Sequence, residues 1–466
     1  MRVALPKRAT VRDRPLIACR FPRMSISGNI PSPSAKESGM RARVIFLCLL
    51  TLSIVLLTVT APNTAAQYPQ AGPPRVFVIK AGKLVDPEKG TTAANQIILV
   101  RGRKIEAIGA NVQIPSDAQV IDLSKSTVLP GLFDAHTHLC MTVKKDRDAG
   151  SYYITTLLDP TPYRAIEGVA NARDMLAAGF TTIRDVGNSG NYADTALREA
   201  IERGVVPGPT MLNAGRIIAP YGGQFHLQPE KRDLATPEYA FADTHDEMLK
   251  AIRENIHYGA TLIKIVVDDQ KYIYSVDDIR FMVAETHRAG LKLAAHCWTQ
   301  AGAHNAAEAG VDSIEHGQMM TNEDLQLAKK NHVVLVGTDF TEIAARASGL
   351  PELHAVFVDR LKRAYQIGVT MAFGTDVIVT LPGETRGTLA AEYVNSWAEA
   401  GVPPKDTLQA MTINAARLLG VDGERGAIRP GLAADIIAMP ENPLDNIQAV
   451  RKVSFVMKDG SVFKRE

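Results

Sequence analysis

TLIKIVVDDQKYIYSVDDIRFMVAETHRAGLKLAAHC, residues 261–297, reads as one strand, one helix and a second strand. TLIKIVV is short, rich in Ile and Val, and broken only by Lys264, the pattern of a strand buried on both faces. VDDIRFMVAETHRAG places apolar residues at helical spacing and closes on Gly, the residue helix C-termini prefer. KLAAHC then returns as another buried strand. Such a unit belongs in a parallel sheet, because parallel neighbours require a crossover connection.

The unit recurs on either side. Strands are expected at 132–138, 181–185, 210–216, 261–267, 292–297, 312–316, 332–337 and 370–376, with helical stretches such as YRAIEGVANARDMLAAG between them. Eight buried strands, each followed by a helix, predict a (β/α)8 TIM barrel over 131–424. A doubly wound sheet is the alternative, but no G-x-G-x-x-G follows the first strand to support it. The flanks differ. RVFVIKAGKLVD, QIILVRGRKIEAIG and AQVIDLSKSTVLPG within 67–130, and RPGLAADIIAMPE and VRKVSFVMKDGSVF within 425–466, are Val/Ile-rich runs separated by Gly and Pro. Both chain ends are expected to build one small β-sandwich beside the barrel.

Ahead of this lies VIFLCLLTLSIVLLTVTA, residues 44–61, which carries no charge, follows MRAR and leads to the small residues NTAA. A basic start, an apolar run and a small-residue exit predict a signal peptide over 40–66, cleaved near Ala66, and hence export to a periplasm or beyond. A membrane anchor is the alternative, since the run is near the spanning minimum. Residues 1–39, basic and Pro/Ser-rich without periodicity, read as an unstructured leader or a mis-assigned start. The leader also governs charge. The chain is formally +2, but 10 of its 52 Lys/Arg and 2 of its 50 Asp/Glu fall in residues 1–66, leaving 42 against 48, or −6. A mature chain of that charge carries no nucleic-acid footprint. After cleavage no stable membrane insertion is expected, and a homo-oligomer is compatible with the sequence. Only Cys140 and Cys297 remain, too few for a disulfide framework, and both read as small buried hydrophobes.

Active groups of a barrel gather at the C-terminal ends of its strands. There the apolar pattern is interrupted by His136 and His138, then Lys264, His296, His316 and Asp376. His136 and His138 are i and i+2 on a strand, so both point to one face. Singly, each has a bland explanation: a satisfied core histidine, a helix-capping Asp376, a Lys264 reaching past its strand to solvent. Together, imidazoles and a carboxylate around an open position suit zinc or a similar divalent metal. An unpaired lysine in such a place loses its proton. As a neutral amine it can take up CO2, giving a carbamate whose two oxygens can bridge two ions.

The ordered motifs LPGLFDAHTHL, GATLIKIVVDD, LAAHCW, AGVDSIEHG, FGTD and INAARLLG…RGAIRPGLAADI resemble the amidohydrolase superfamily over residues 75–466. The likeness is greatest to the imidazolonepropionase-like group that includes Xaa-Pro dipeptidases. It implies a binuclear centre. His136, His138 and Asp376 would hold the more buried ion, His296 and His316 the second, and carboxylated Lys264 would bridge two divalent ions, zinc above all. It also implies hydrolysis of an amide by a metal-bridging hydroxide, with Asp376 as general base and then acid.

The expected substrate is a small carboxylate-bearing amide, an Xaa-Pro dipeptide or an N-acyl amino acid. Tyr221, His226, Tyr272, Tyr274 and Arg386, in loops after the expected strands, are the candidates to contact it: Arg386 or His226 at the carboxylate, a tyrosine at the oxyanion. A mononuclear deaminase or cyclic-amide hydrolase is the second enzymatic reading. A non-catalytic binding barrel is the third, and retention of all six donors counts against it.

Overall fold

The computed structural model describes residues 75–466. The expected leader at 1–39 and signal peptide at 40–66 lie outside the described residues. Strands β1 (Val76–Asp86), β2 (Thr91–Arg101), β3 (Lys104–Gly109) and β4 (Gln119–Pro130) join β14 (Ile436–Met439), β15 (Phe455–Lys458) and β16 (Ser461–Arg465) in one seven-stranded sheet. Its order is β16-β15-β14-β4-β1-β2-β3, with β1 parallel to β4. Alternation along β1 turns Phe77, Ile79 and Ala81 to a core shared with Ile98, Ile436 and Phe455.

This is a single continuous sheet rather than the two facing sheets of the expected sandwich. It curls until β3 meets the segment before β14: Ile105 donates to Leu432 O at 2.9 Å, and Gly431 donates back at 2.8 Å. The bend begins where the β1–β4 register shifts between Ala81 and Lys83. A Cβ on Gly82 would stand 2.1 Å from Ser124 O, so only glycine admits this close approach.

Between the two ends the strands are parallel. β5 (Leu132–Thr137), β6 (Phe180–Asp185) and β7 (Thr210–Asn213) form one sheet. β8 (Ile217–Ala219), β9 (Tyr239–Phe241), β10 (Ile263–Val266), β11 (Leu293–Cys297), β12 (Ser313–His316) and β13 (Val334–Val336) form another, ordered β13-β12-β11-β10-β8-β9. The fold is thus mixed α/β. β5, β10, β11 and β12 are buried along their whole length. The helix Val276–Arg288 begins at a Ser275–Asp278 capping box and ends just before Gly290, whose φ is +74°.

Two departures from expectation matter for the site. β8 and β9 were not foreseen, because both are three-residue strands too short for a periodicity to show. Residues 370–376 are not a regular strand. They bond β13 through Leu335 (2.9 Å to Thr370 O) and β5 through Ala135 (2.8 Å to Phe373 O), and Asp134 then takes over, accepting from the Thr375 N–H at 3.1 Å and its hydroxyl at 2.6 Å.

Candidate metal centre

The donor side chains arrive from five segments. His136 and His138 leave β5, Lys264 sits in β10, His296 in β11, His316 ends β12, and Asp376 follows the irregular segment. All six line one cavity of about 380 Å³ at the C-terminal ends of these strands. His316 and Asp376 hold left-handed backbone (φ +64° and +55°), a conformation costly for both residue types and concentrated at functional sites.

Three histidines are oriented alike. Nδ1 of His136 donates to Glu315 at 2.7 Å, Nδ1 of His138 donates to Gly187 O at 2.7 Å, and Nδ1 of His316 lies 2.9 Å from Thr338 Oγ1. Each commits Nδ1 to the protein and leaves Nε2 for a ligand, the arrangement by which outer-shell partners set a metal-binding tautomer. Glu315 is itself held by Arg184, at 2.8 and 2.9 Å, and by the Ser313 hydroxyl. His296 differs: its Nε2 faces Asp269 Oδ2 at 2.9 Å.

Asp376 Oδ1 lies 3.3 Å from His138 Nε2 and 3.8 Å from His136 Nε2. The ligand atoms of His136, His316 and Asp376 fall within 4.8 Å of one another, so His316 joins the trio around Asp376 as well as facing His296. Lys264 is 2% exposed and its Nζ has no hydrogen-bond partner among the described residues.

Burial dominates the electrostatics. It brings the Lys264 ammonium down to about 8, the His138 imidazolium down to about 3, and His136 and His316 well below their ordinary values. It pushes the Asp376 carboxyl up to about 7. Neutral imidazoles and a readily deprotonated amine are the forms that ligate metal or take up CO2. The donor set fits a divalent ion: two imidazole Nε2 atoms gather around the Asp376 carboxylate, and a buried amine without a partner among the described residues lines the same cavity. Cys140 and Cys297 are buried, and burial pushes both thiols well above the ordinary range, which removes them as nucleophiles.

Of the expected substrate contacts, the structure brings only His226 to this cavity. Tyr221 and Tyr272 point to solvent, 57% and 50% exposed. Tyr274 turns inward to structure, its hydroxyl donating to Ala242 O at 2.6 Å. Arg386 lies behind the wall, donating to Met141 O at 2.8 Å and Thr142 Oγ1 at 2.9 Å. The walls come instead from Tyr152, Tyr153, Gln224, Asp269, Trp298 and Phe340. Gln224 and Asp269 sit in the loops already singled out, YGGQFH and DDQK. Nothing local marks the SYY of 151–153.

A sequence model of the Amidohydrolase family matches residues 127–463. The ochratoxinase of Aspergillus niger is 29% identical over 441 residues, covering 84% of this chain and 87% of that protein. The imidazolonepropionase of Alkaliphilus metalliredigens is 23% identical over 408 residues, 78% of this chain and 89% of that one. The crystal structure of a Xaa-Pro dipeptidase with methionine bound in its active site matches with a TM-score of 0.73 at 28% identity, covering 84% of this chain and 100% of the other.

Proposed function

The chain belongs to the amidohydrolase family, and from that premise we propose that it is a binuclear metal-dependent hydrolase of small carboxylate-bearing amides, Xaa-Pro dipeptides or N-acyl amino acids. The observation that carries this is Lys264: an amine buried with no partner among the described residues, in one cavity with four histidines and an aspartate. His136, His138 and Asp376 would hold one ion and His296 and His316 a second, with zinc the expected metal and Lys264, once carboxylated, available as a further anionic ligand. Divalent metal there supplies a water that ionises near neutral pH and polarisation of the scissile carbonyl.

The chain's own groups do the rest. Glu315, Gly187 and Thr338 hold three imidazoles in register through Nδ1. Asp376 Oδ1 lies against His138, which leaves Oδ2 to take a proton and return it to the leaving nitrogen. Tyr152, Tyr153, Trp298 and Phe340 line the cavity, and His226, which lines it too, is the proposed partner of a substrate carboxylate.

A closed eight-stranded barrel is part of this reading. Bonds from residues 370–373 to β13 and β5, and from Thr261 to Asn213 of β7 at 2.8 Å, support a ring of β5, β6, β7, β10, β11, β12, β13 and 370–376. Export after cleavage near Ala66 also belongs to it, and N-terminal sequencing of mature protein tests that.

The His136–His316–Asp376 trio, able to hold one ion alone, favours the mononuclear deaminase or cyclic-amide hydrolase as second reading. Metal analysis of purified protein, with a screen of Xaa-Pro dipeptides and N-acyl amino acids, separates the two. Two ions per chain with hydrolysis is the expected result. One ion with full activity would remove the bridging role of Lys264.

A further inference from the structure

Four histidines face the cavity, and one is held differently. His136, His138 and His316 are tied back through Nδ1, whereas His296 is engaged through Nε2 by a side chain outside the six expected donors. We propose that Asp269 is a further ligand of the second divalent ion, sharing it with His296. This rests on the metal-dependent hydrolase reading above.

Two ligands at about 2.1 Å from one ion stand roughly 3.0–3.4 Å apart when they subtend 90–110°. Asp269 Oδ2 and His296 Nε2, at 2.9 Å, are close to that spacing. An independent feature points to a ligand in the same cavity: Lys264 Nζ, buried and without a partner among the described residues, lines it together with Asp269 and His296.

The neighbouring Asp268 is the natural rival and is disqualified by its bonds. It accepts from the Trp298 amide at 3.0 Å and from the Thr299 amide and hydroxyl at 2.7 Å each, and stands 3.9 Å from His296. Its carboxylate is committed to the turn after β11. Asp269 carries a lighter load: Gln224 Nε2 donates to Oδ2 at 2.7 Å, and Gln224 is in turn fixed by the Tyr239 hydroxyl at 2.7 Å. A carboxylate oriented by one amide and facing one imidazole keeps lone pairs to give a cation. Asp269 also holds left-handed backbone at φ +76°, so glycine suits the position sterically and the carboxylate is what the aspartate adds.

That backbone supplies a clean test. Asp269→Gly removes the carboxylate and relieves the φ, while Asp269→Asn keeps shape and tolerates φ > 0. The full chain, freed of metal, is titrated with Zn2+ and with Co2+, following bound metal by mass spectrometry and the Co2+ visible spectrum. Thermal midpoints serve as the folding control. The expected result is that wild type holds two ions, while both variants keep the first and bind the second about 100-fold more weakly or worse, at or beyond the upper end of the cost of losing an outer-shell partner. Two ions at wild-type affinity and an unchanged Co2+ spectrum in either folded variant would overturn the ligand role and leave the hydrolase reading standing. A wild type that binds no divalent ion would overturn both.

Discussion

The same parallel strands open onto two clefts, one at each end. The cleft at their N-terminal ends, lined by Lys292, Asp312, His332, Tyr365 and Arg417, is about 690 Å³, larger than the 380 Å³ cavity at the C-terminal ends. Yet its polar groups are largely paired with one another. Asp312 accepts from His287 at 2.7 Å, Lys292 at 2.9 Å and the Leu293 amide at 2.8 Å; Tyr365 donates to Asp406 at 2.9 Å; Arg417 meets Glu88 at 2.5 Å. At the other end Lys264 has no partner among the described residues, and His136 and His138 turn Nε2 toward Asp376. Volume therefore does not locate the chemistry. The convergence of an unpartnered lysine with four histidines and an aspartate in one cavity does, because a buried amine among metal-ligand side chains is a group that a ligand can satisfy.

The largest effect expected from this contrast is at Lys264. Lys264→Ala should lower kcat/KM by about 10³-fold or more, the several kcal/mol that metal-ion catalysis supplies, with partial rescue by added short carboxylates. Wild-type turnover without them would erase the distinction between the two ends. One layer further out, Glu315→Gln should weaken metal binding by about 10- to 100-fold, measured by competition with a chelator, because His136 loses its anionic partner. An unchanged affinity would mean that His136 is held by packing alone.

The opposite end should respond only in stability. Asp312→Asn is expected to leave kcat/KM within about twofold and to destabilise by about 1–2 kcal/mol at pH 7 in a denaturant titration. Burial raises the Asp312 carboxyl, but the Leu293 amide, His287 and Lys292 outweigh it and hold the carboxyl below its ordinary value. A depressed folded value means that the stability it contributes is present above the unfolded value of about 3.9 and fades as pH falls through the folded one. The gap between wild type and variant should therefore narrow as pH falls below the unfolded value and through the folded one. A gap that widened in acid would show Asp312 to be neutral in the fold.

Much of the site was legible beforehand. Five of the candidate donors lie within or directly after buried parallel strands and Asp376 ends the irregular segment 370–376, and the structure brings all six to one cavity. The walls were not legible. In DDQKYIY, Asp269 faces the cavity, Tyr272 faces solvent and Tyr274 bonds Ala242, three fates within six residues. A loop has no period to assign its faces, and its path is set by whichever distant backbone group it meets. Tyr152 and Tyr153 escaped notice for the same reason: they reach the cavity from a seven-residue helix beginning at Tyr152, not from a strand.

The flanking sheet teaches the same division. Val/Ile-rich runs separated by Gly and Pro foretold strands at both ends of the described chain, and that the two ends build one small β domain together. That they form one curled sheet depends on Gly82 passing Ser124 and on β3 reaching the segment at 431–434, contacts between residues far apart in sequence. The sequence by itself determined most element types and the six candidate donors, because backbone period and side-chain chemistry are local. Tertiary structure alone decided which polar groups were satisfied and which were left for a ligand, because a hydrogen-bond partner is supplied by whatever segment the fold brings alongside.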